Sequence, residues 1–327
     1  MCNAKTDWYF IVNPRAGSGK TMSEWVPAEI KLQKYGIKFI TALTDHKKHA
    51  TQLAREAAEA GYRRIVAVGG DGSVHEVLCG IGQYCDSTGT PTEEFTLGVM
   101  PIGSGNDWIK SLGVPHDFDK IIDLIRSGSI GTMDFVRVLG SGGKVSYMAN
   151  IGGTGFDSHV CSRVNLQKES GKRGKLIYLD GLRYTVTHLS PINLRVVADG
   201  TTVHEGPCYS IAWGNGNFSG SGMRQVPAAD MNDGLLDYMI VPVMPIRSIF
   251  RQIPKLFNGT LNESKDVISG KCISFRIMPL DSESEDIFEL DGEIEGTLPL
   301  SIDMEPRKIG VIKATADTEA SLQTYRA

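Results

Sequence analysis

Arg64-Ile65-Val66-Ala67-Val68-Gly69-Gly70-Asp71-Gly72-Ser73-Val74-His75-Glu76-Val77-Leu78 reads as an apolar strand, a glycine-rich turn and the start of a helix. A second unit of the same kind follows in Leu97-Gly98-Val99-Met100-Pro101-Ile102-Gly103-Ser104-Gly105-Asn106-Asp107. Glycines let the backbone turn with positive φ and come close to a ligand, and free amides at a helix start favour phosphate. An aspartate inside such a turn repels a phosphate unless Mg²⁺ or a transferable proton lies between them. Two such turns point to nucleotide phosphates handled with metal help.

Outward from these turns, the first part of the chain alternates strands and helices. Strands are expected over Asp7 to Val12, Ile37 to Leu43, Ile65 to Val68 and Phe95 to Met100. Helices are expected from Gly19 to Tyr35, despite Pro27, then over His49 to Ala60, Ser73 to Ile81 and Asp107 to Leu112. This order predicts an α/β domain, a Rossmann-like parallel sheet with helices on both faces. Ligands of such sheets lie beyond the carboxyl ends of the strands, where both glycine turns fall.

From Thr132 the pattern changes to short strands: Met133 to Leu139, Lys144 to Ile151, Asn193 to Ala198, Thr201 to Glu205 and Tyr209 to Trp213. Leu235 to Val241, Lys271 to Met278, Ile287 to Leu290 and Leu298 to Met304 continue it. A helical stretch from Gly155 to Leu189 interrupts them. A β-rich, sandwich-like C-terminal domain is therefore expected over 132–304. The nucleotide-binding domain is expected to hold 1–131 and to regain a last strand within 305–320, with a disordered tail at 321–327.

The chain has 327 residues, 41% hydrophobic and 22% charged, which allows two ordinary globular domains. A formal net charge of −4 argues against nucleic acid as a partner, since duplex binding needs concentrated basic surface. The six cysteines form no CxxC pair, and the seven histidines show no metal spacing. Without a signal pattern or an apolar run of membrane-spanning length, the expected location is cytoplasmic, peripheral at the inner membrane face.

Asn13-Pro14-Arg15-Ala16-Gly17-Ser18-Gly19-Lys20-Thr21 imitates a P-loop, but Pro14 stands where that motif needs a glycine and offers no amide. A strand-end turn whose Gly17 amide approaches phosphate, with Lys20 adding charge, is the better reading; a plain surface turn is the alternative.

Asn-Pro near the N-terminus, Gly-Gly-Asp-Gly-Ser in the middle and then Pro-x-Gly-Ser-Gly-Asn-Asp resemble, in this order, the catalytic domain of the diacylglycerol kinase family. That family includes bacterial lipid kinases and the sphingosine and ceramide kinases. Downstream, Asn150-Ile151-Gly152-Gly153-Thr154-Gly155-Phe156-Asp157 resembles the opening of the family's second domain. Trp213-Gly214-Asn215-Gly216, Pro227 through Asp237, and Leu290-Asp291-Gly292-Glu293 resemble its later signatures. Ser73 and Ser104 replace threonines, and Lys110 stands where arginine is common, losing the bidentate fork.

The resemblance implies an ATP- and Mg²⁺-dependent lipid kinase acting on a lipid hydroxyl, with a diacylglycerol-like glycerolipid as default acceptor. Asn13, Gly17, Lys20, Gly69, Gly70, Gly72, Ser73, Gly103, Ser104 and Asn106 would hold the nucleotide. Asp71 would bind the catalytic Mg²⁺, with Asp107 and Asp134 in an acidic network nearby; capping and strand-end hydrogen bonding is the alternative for these two. Asp291 would be the general base, assisted by Glu293, although Asp-Gly by itself signals a type I′ hairpin turn. Asp233 would hold a structural Mg²⁺, or form a plain loop. The lipid would be met at a membrane surface, where Lys168, Lys172, Arg173 and Lys175 offer a basic docking cluster. A homodimer is compatible with this reading. Sphingoid-base or ceramide kinase, NAD kinase and a catalytically silent lipid- or nucleotide-binding regulator are the alternatives.

Overall fold

The computed structural model describes residues 5–102, 105–169, 190–281, 285–304 and 306–314. The chain forms two compact units, one holding residues up to Asp134 and again from Arg307, the other Phe135–Pro306.

In the first unit, strands β1 (Lys5–Val12), β2 (Phe39–Leu43), β3 (Tyr62–Gly69), β4 (Thr96–Pro101) and β5 (Ile130–Asp134) join the last strand, β17 (Lys308–Ile312). The sheet order is β2-β1-β3-β4-β17-β5, parallel except for β5 against β17. The central strands bury both faces, as a helix-covered parallel sheet requires: Ile65, Val66, Ala67 and Val68 are each fully buried. Helices α1 (Thr21–Lys34), α2 (His49–Glu59), α3 (Asp71–Thr88), α4 (Asp107–Leu112) and α5 (Phe118–Ser127) complete the unit. Helix α3 runs on past Ile81 until Gly89 takes the left-handed conformation that ends it. Helix α5, absent from the sequence expectation, starts at Asp117, whose carboxylate accepts from the Lys120 amide, and stops at left-handed Gly128.

The strand expected over Met133 to Leu139 is two strands in two sheets. Met133 and Asp134 pair with Ile309 and Lys308 of β17, whereas β6 (Val136–Leu139) pairs with β7 (Val145–Met148) in the second unit. Among the described residues, eleven antiparallel strands make the sheet of that unit. They continue with β8 (Ile151–Gly155), β9 (Ile192–Ala198), β10 (Thr201–Gly214), β11 (Leu236–Pro242), β12 (Ile268–Cys272) and β13 (Ser274–Pro279). The last three are β14 (Ile287–Leu290), β15 (Glu293–Thr297) and β16 (Leu300–Asp303). The path runs β15-β14-β8-β10-β9-β13-β16-β6-β7, with β11 and β12 branching from β10.

The strands expected over Thr201–Glu205 and Tyr209–Trp213 thus fuse into β10, whose first half pairs β9 and whose second half pairs β8 and β11. Trp213, Phe275, Phe288 and Leu290 lie in its core. Helix α6 (Phe156–Glu169) follows β8, and α7 (Ile246–Asn258), unforeseen in the sequence, follows β11. The architecture is the α/β domain plus β-sandwich-like domain expected.

Candidate active site

Strands β1, β3 and β4 are neighbours, and the chain leaves β1 toward one edge through β2 but returns to the other side for β3. That reversal is the switch point at which open α/β sheets bind ligands. The first glycine turn sits there. The Asn13 amide donates to Val68 O at 3.0 Å, and its side-chain Nδ2 donates to Ser73 Oγ at 3.4 Å, joining the end of β1 to the first turn of α3. A Cβ on Gly69 would stand 2.2 Å from Ser73 Oγ, so this close approach demands glycine. Gly70 caps α3 with its carbonyl, accepting from the Ser73 amide at 2.9 Å, and Gly72 lies in the helix's first turn.

The Asn-Pro loop comes to the same strand ends. Gly17, Ser18 and Gly19 have φ of 54°, 63° and 83°, a left-handed arch of the kind whose amides form an anion-binding concavity. Gly17 packs so tightly on Ile102 that a Cβ would approach Ile102 Cγ2 to 2.4 Å, and Ile102 N–H donates to Gly69 O at 2.8 Å. Lys20, exposed, precedes α1 and donates its amide to Gly17 O at 3.3 Å. This loop is not a P-loop: Pro14 and the left-handed arch replace the phosphate-wrapping run.

The second glycine turn meets the first through Asp71. Its Oδ1 accepts from the Trp108 amide at 3.1 Å, so a side chain on α3 satisfies an orphan donor at the start of α4. Asn106 is the left-handed N-cap of α4 (φ 49°), and its Nδ2 lies 2.5 Å from His116 Nε2. Buried Asp107 pairs with Lys110 at 2.6 Å, and buried Asp134 with Lys308 at 3.2 Å, so each of these carboxylates has a lysine against it. Gly103, Ser104, the tail at 321–327 and the side chains of Lys168, Lys172, Arg173 and Lys175 lie outside the described residues.

In the second unit three signature segments converge. Asp291 (φ 54°) and Gly292 (φ 86°) form the tight turn between β14 and β15, with Leu290 paired to Glu293. The hairpin reading of Asp-Gly holds, and it carries a positioned carboxylate as well. Asp291 Oδ2 accepts from the Ala149 amide at 2.9 Å and Oδ1 from the Asn150 amide at 2.8 Å, while Asp291 N–H donates to Ile151 O at 2.8 Å. The Asn150 carbonyl in turn accepts from the Asn215 and Gly216 amides at 2.8 and 2.9 Å. Gly292 is held by its own amide on Glu289 and by its carbonyl under Asn165 and Cys161. A half-buried carboxylate aimed by two backbone amides is suited to accept a proton from a hydroxyl in hydrogen-bond reach.

The two expected metal positions differ in fit. Mg²⁺ binds through one or two carboxylates and completes its shell with water and phosphate oxygens, so the half-buried Asp71 in the first turn of α3 fits it. Once bound there, the ion would spread the charge of the transferred phosphoryl group. Asp233 does not fit. Its Oδ1 accepts from the Leu235 amide at 3.0 Å, and its Oδ2 pairs with Lys271 Nζ at 2.7 Å. Lys271 also reaches Asp237 Oδ2 at 3.2 Å and Ala228 O at 3.2 Å. The Lys271 ammonium stands at the cation position of that loop. Among the described residues, one His/Asp convergence escaped the sequence reading: Asp45 Oδ1 lies 2.8 Å from His49 Nδ1 and also contacts His46 Nδ1.

Residues 7–138 match the diacylglycerol kinase catalytic domain, and residues 150–313 match the YegS C-terminal NAD kinase beta sandwich-like domain. The chain belongs to the diacylglycerol kinase and YegS family of lipid kinases. It is accordingly an enzyme, a phosphotransferase that uses a nucleotide. The Mycobacterium tuberculosis protein named diacylglycerol kinase is 26% identical over 304 residues, 93% of this chain and 94% of its own length. The Salmonella arizonae protein named probable lipid kinase YegS is 29% identical over 291 residues, 88% of this chain and 89% of its own. A crystal structure of a diacylglycerol kinase from Bacillus anthracis superposes with a TM-score of 0.68 at 22% identity, covering 95% of this chain and 97% of that one, which shows the fold.

The second unit of this lipid kinase also contains a half-open pocket with a cavity volume of about 100 Å³. Met239, Val241, Ile249, Ile253, Leu256 and Leu261 make its wall apolar. Its polar end is Asp157, which accepts from Ser210 Oγ and Gln225 Nε2. Gly153 makes room for it, since a Cβ there would stand 2.7 Å from Asp157 Cβ. No local signal in the sequence gives Asp157 a role, because Ser210 and Gln225, which complete its shell, lie 53 and 68 positions away.

Burial pushes the Asp157 carboxyl up to about 6, against the pull of its two hydrogen bonds. The native protein therefore keeps a proton that the unfolded chain sheds, and stability falls as pH rises from about 4 through about 6. Asp157→Asn is expected to add up to about 3 kcal/mol at neutral pH and nothing near pH 4. Urea unfolding of both proteins across that range checks it.

Proposed function

We propose that this enzyme transfers the γ-phosphoryl group of ATP, with Mg²⁺, to the hydroxyl of a diacylglycerol-like glycerolipid at the inner face of the cytoplasmic membrane. The observation that carries the acceptor class is the apolar pocket, which lies in the same unit as the amide-fixed Asp291. Acyl chains suit such a wall, and a nicotinamide dinucleotide would leave it unused. Asn13, Gly17, Gly69, Gly70, Gly72, Ser73, Asn106 and Lys20 hold the nucleotide, and Asp71 holds Mg²⁺. Asp291 takes the acceptor's hydroxyl proton as the new O–P bond forms and the bond to the β-phosphate oxygen breaks, releasing ADP. Glu293, next after the turn, assists.

A second reading, a sphingoid-base acceptor, is favoured by Asp157: a carboxylate at the end of an apolar pocket would pair with an amine. The test is γ-labelled ATP and Mg²⁺ with diacylglycerol, monoacylglycerol, sphingoid base, ceramide and NAD, the lipids in mixed micelles. Label in diacylglycerol is expected. Label in a sphingoid base or in NAD would replace the acceptor, and bound ATP without label in any of them would leave a silent regulator.

A further inference from the structure

Helix α7 leaves part of its apolar surface outside while burying two polar side chains. Ser248 and Gln252 are buried, the latter donating to Asp266 Oδ2 at 3.0 Å, while Ile249, Ile253 and Leu256 line the apolar pocket. Ile246, Phe250 and Phe257 remain 55%, 58% and 49% exposed, and Val243 just before the helix is 45% exposed. At i, i+4 and i+11 these residues form one narrow stripe at 3.6 residues per turn. Both exposed phenylalanines among the described residues are here. Single exposed apolar residues need no explanation, but an aligned stripe of this kind does.

The adjoining face is basic. Arg247, Arg251 and Lys255 recur at every fourth position, and no acidic residue occurs from Tyr238 to Asn262. Arg224 adds a further guanidinium beside Gly259 at the helix's end. Glu263 and Asp266 are the nearest acids in sequence, and Asp266 is engaged on the buried side by Gln252. Aromatic and aliphatic groups beside a basic stripe describe a helix that lies in the plane of an anionic membrane surface.

We propose that α7 is the element that docks this enzyme on its membrane, laying Ile246, Phe250 and Phe257 into the acyl boundary of an anionic bilayer with Arg247, Arg251 and Lys255 against the headgroups. The inference rests on the lipid-kinase reading for its reason to meet a bilayer, and deepens it. The same helix forms a wall of the apolar pocket, so a lipid leaving the bilayer has continuous apolar surface from stripe to cavity.

The test uses the purified full chain without nucleotide and measures co-sedimentation with phosphatidylcholine vesicles, with and without phosphatidylglycerol. Binding is expected only to the anionic vesicles. Phe250→Ser with Phe257→Ser should weaken it by about a hundredfold, tenfold or so for each buried ring lost. Arg247→Gln, Arg251→Gln and Lys255→Gln together should weaken it similarly, and added salt should mimic them.

Phe250→Trp supplies an independent readout. Trp8, Trp25, Trp108 and Trp213 are all buried. The new indole should therefore shift to the blue and be quenched by brominated lipid. Equal vesicle binding by all variants, or an unquenched indole, would overturn the proposal. So would a change of oligomeric state in the serine variant with vesicle binding intact, which would make the stripe a subunit contact. Turnover of a monomeric short-chain diacylglycerol, which needs no membrane, separates the two readings: its persistence without vesicle binding would sink the docking and leave the kinase standing.

Discussion

Asp71→Asn should lower turnover by about a hundred- to a thousandfold while the protein melts at nearly its original temperature. The asparagine oxygen can still accept from the Trp108 amide, so the tie between α3 and the start of α4 survives. What disappears is the negative charge that would hold Mg²⁺ at the first turn of α3. Asp71→Ala removes both, and should add a stability loss of about 1–2 kcal/mol from the orphaned amide to the loss of turnover. Measuring kcat and the melting temperature of both variants separates the roles. If Asp71→Asn turns over like the parent, the metal assignment is wrong and Asp71 is a cap alone.

Asp291→Asn should cut kcat by about a hundred- to ten-thousandfold and leave ATP affinity unchanged. Asparagine tolerates the left-handed φ of 54° that the tight turn requires, so the hairpin should persist. One of the two amide bonds from Ala149 and Asn150 is lost, because the new NH₂ cannot accept, at a cost of about 1–2 kcal/mol. Titration calorimetry with ATP beside a turnover assay resolves the outcome. Retained activity would reduce Asp291 to the hairpin residue that its Asp-Gly dipeptide already announces.

Much of the nucleotide side was legible because its signals are local. Gly69, Gly70 and Gly72 between an apolar run and a helix announce a strand-turn-helix whatever the rest of the chain does. Asn13 was legible as a member of an ordered motif, but its bond to Ser73 joins positions 60 residues apart and could not be read from either segment. Helix α7 escaped because Pro245 and Pro254 look like breakers. Pro245 sits at its N-cap, and Pro254 is tolerated within it. The boundary between units was misplaced by a few residues for a related reason. Met133 through Leu139 is a mostly apolar run without a turn residue and reads as one strand, and only the partners available, β17 on one side and β7 on the other, cut it at Phe135.

The amino-acid sequence by itself determined the two kinds of architecture, the glycine turns and the family, since strand runs, helix starts and left-handed glycines are properties of a few adjacent residues. The tertiary structure decided what the charged groups do. Asp233 faces Lys271 from 38 positions away, which closes a metal position the sequence left open. Asp291 is aimed by amides more than 140 positions earlier, and Asp157 is buried under Ser210 and Gln225. A carboxylate's role depends on the dielectric and the partners around it, and those are assembled only when distant strands pair.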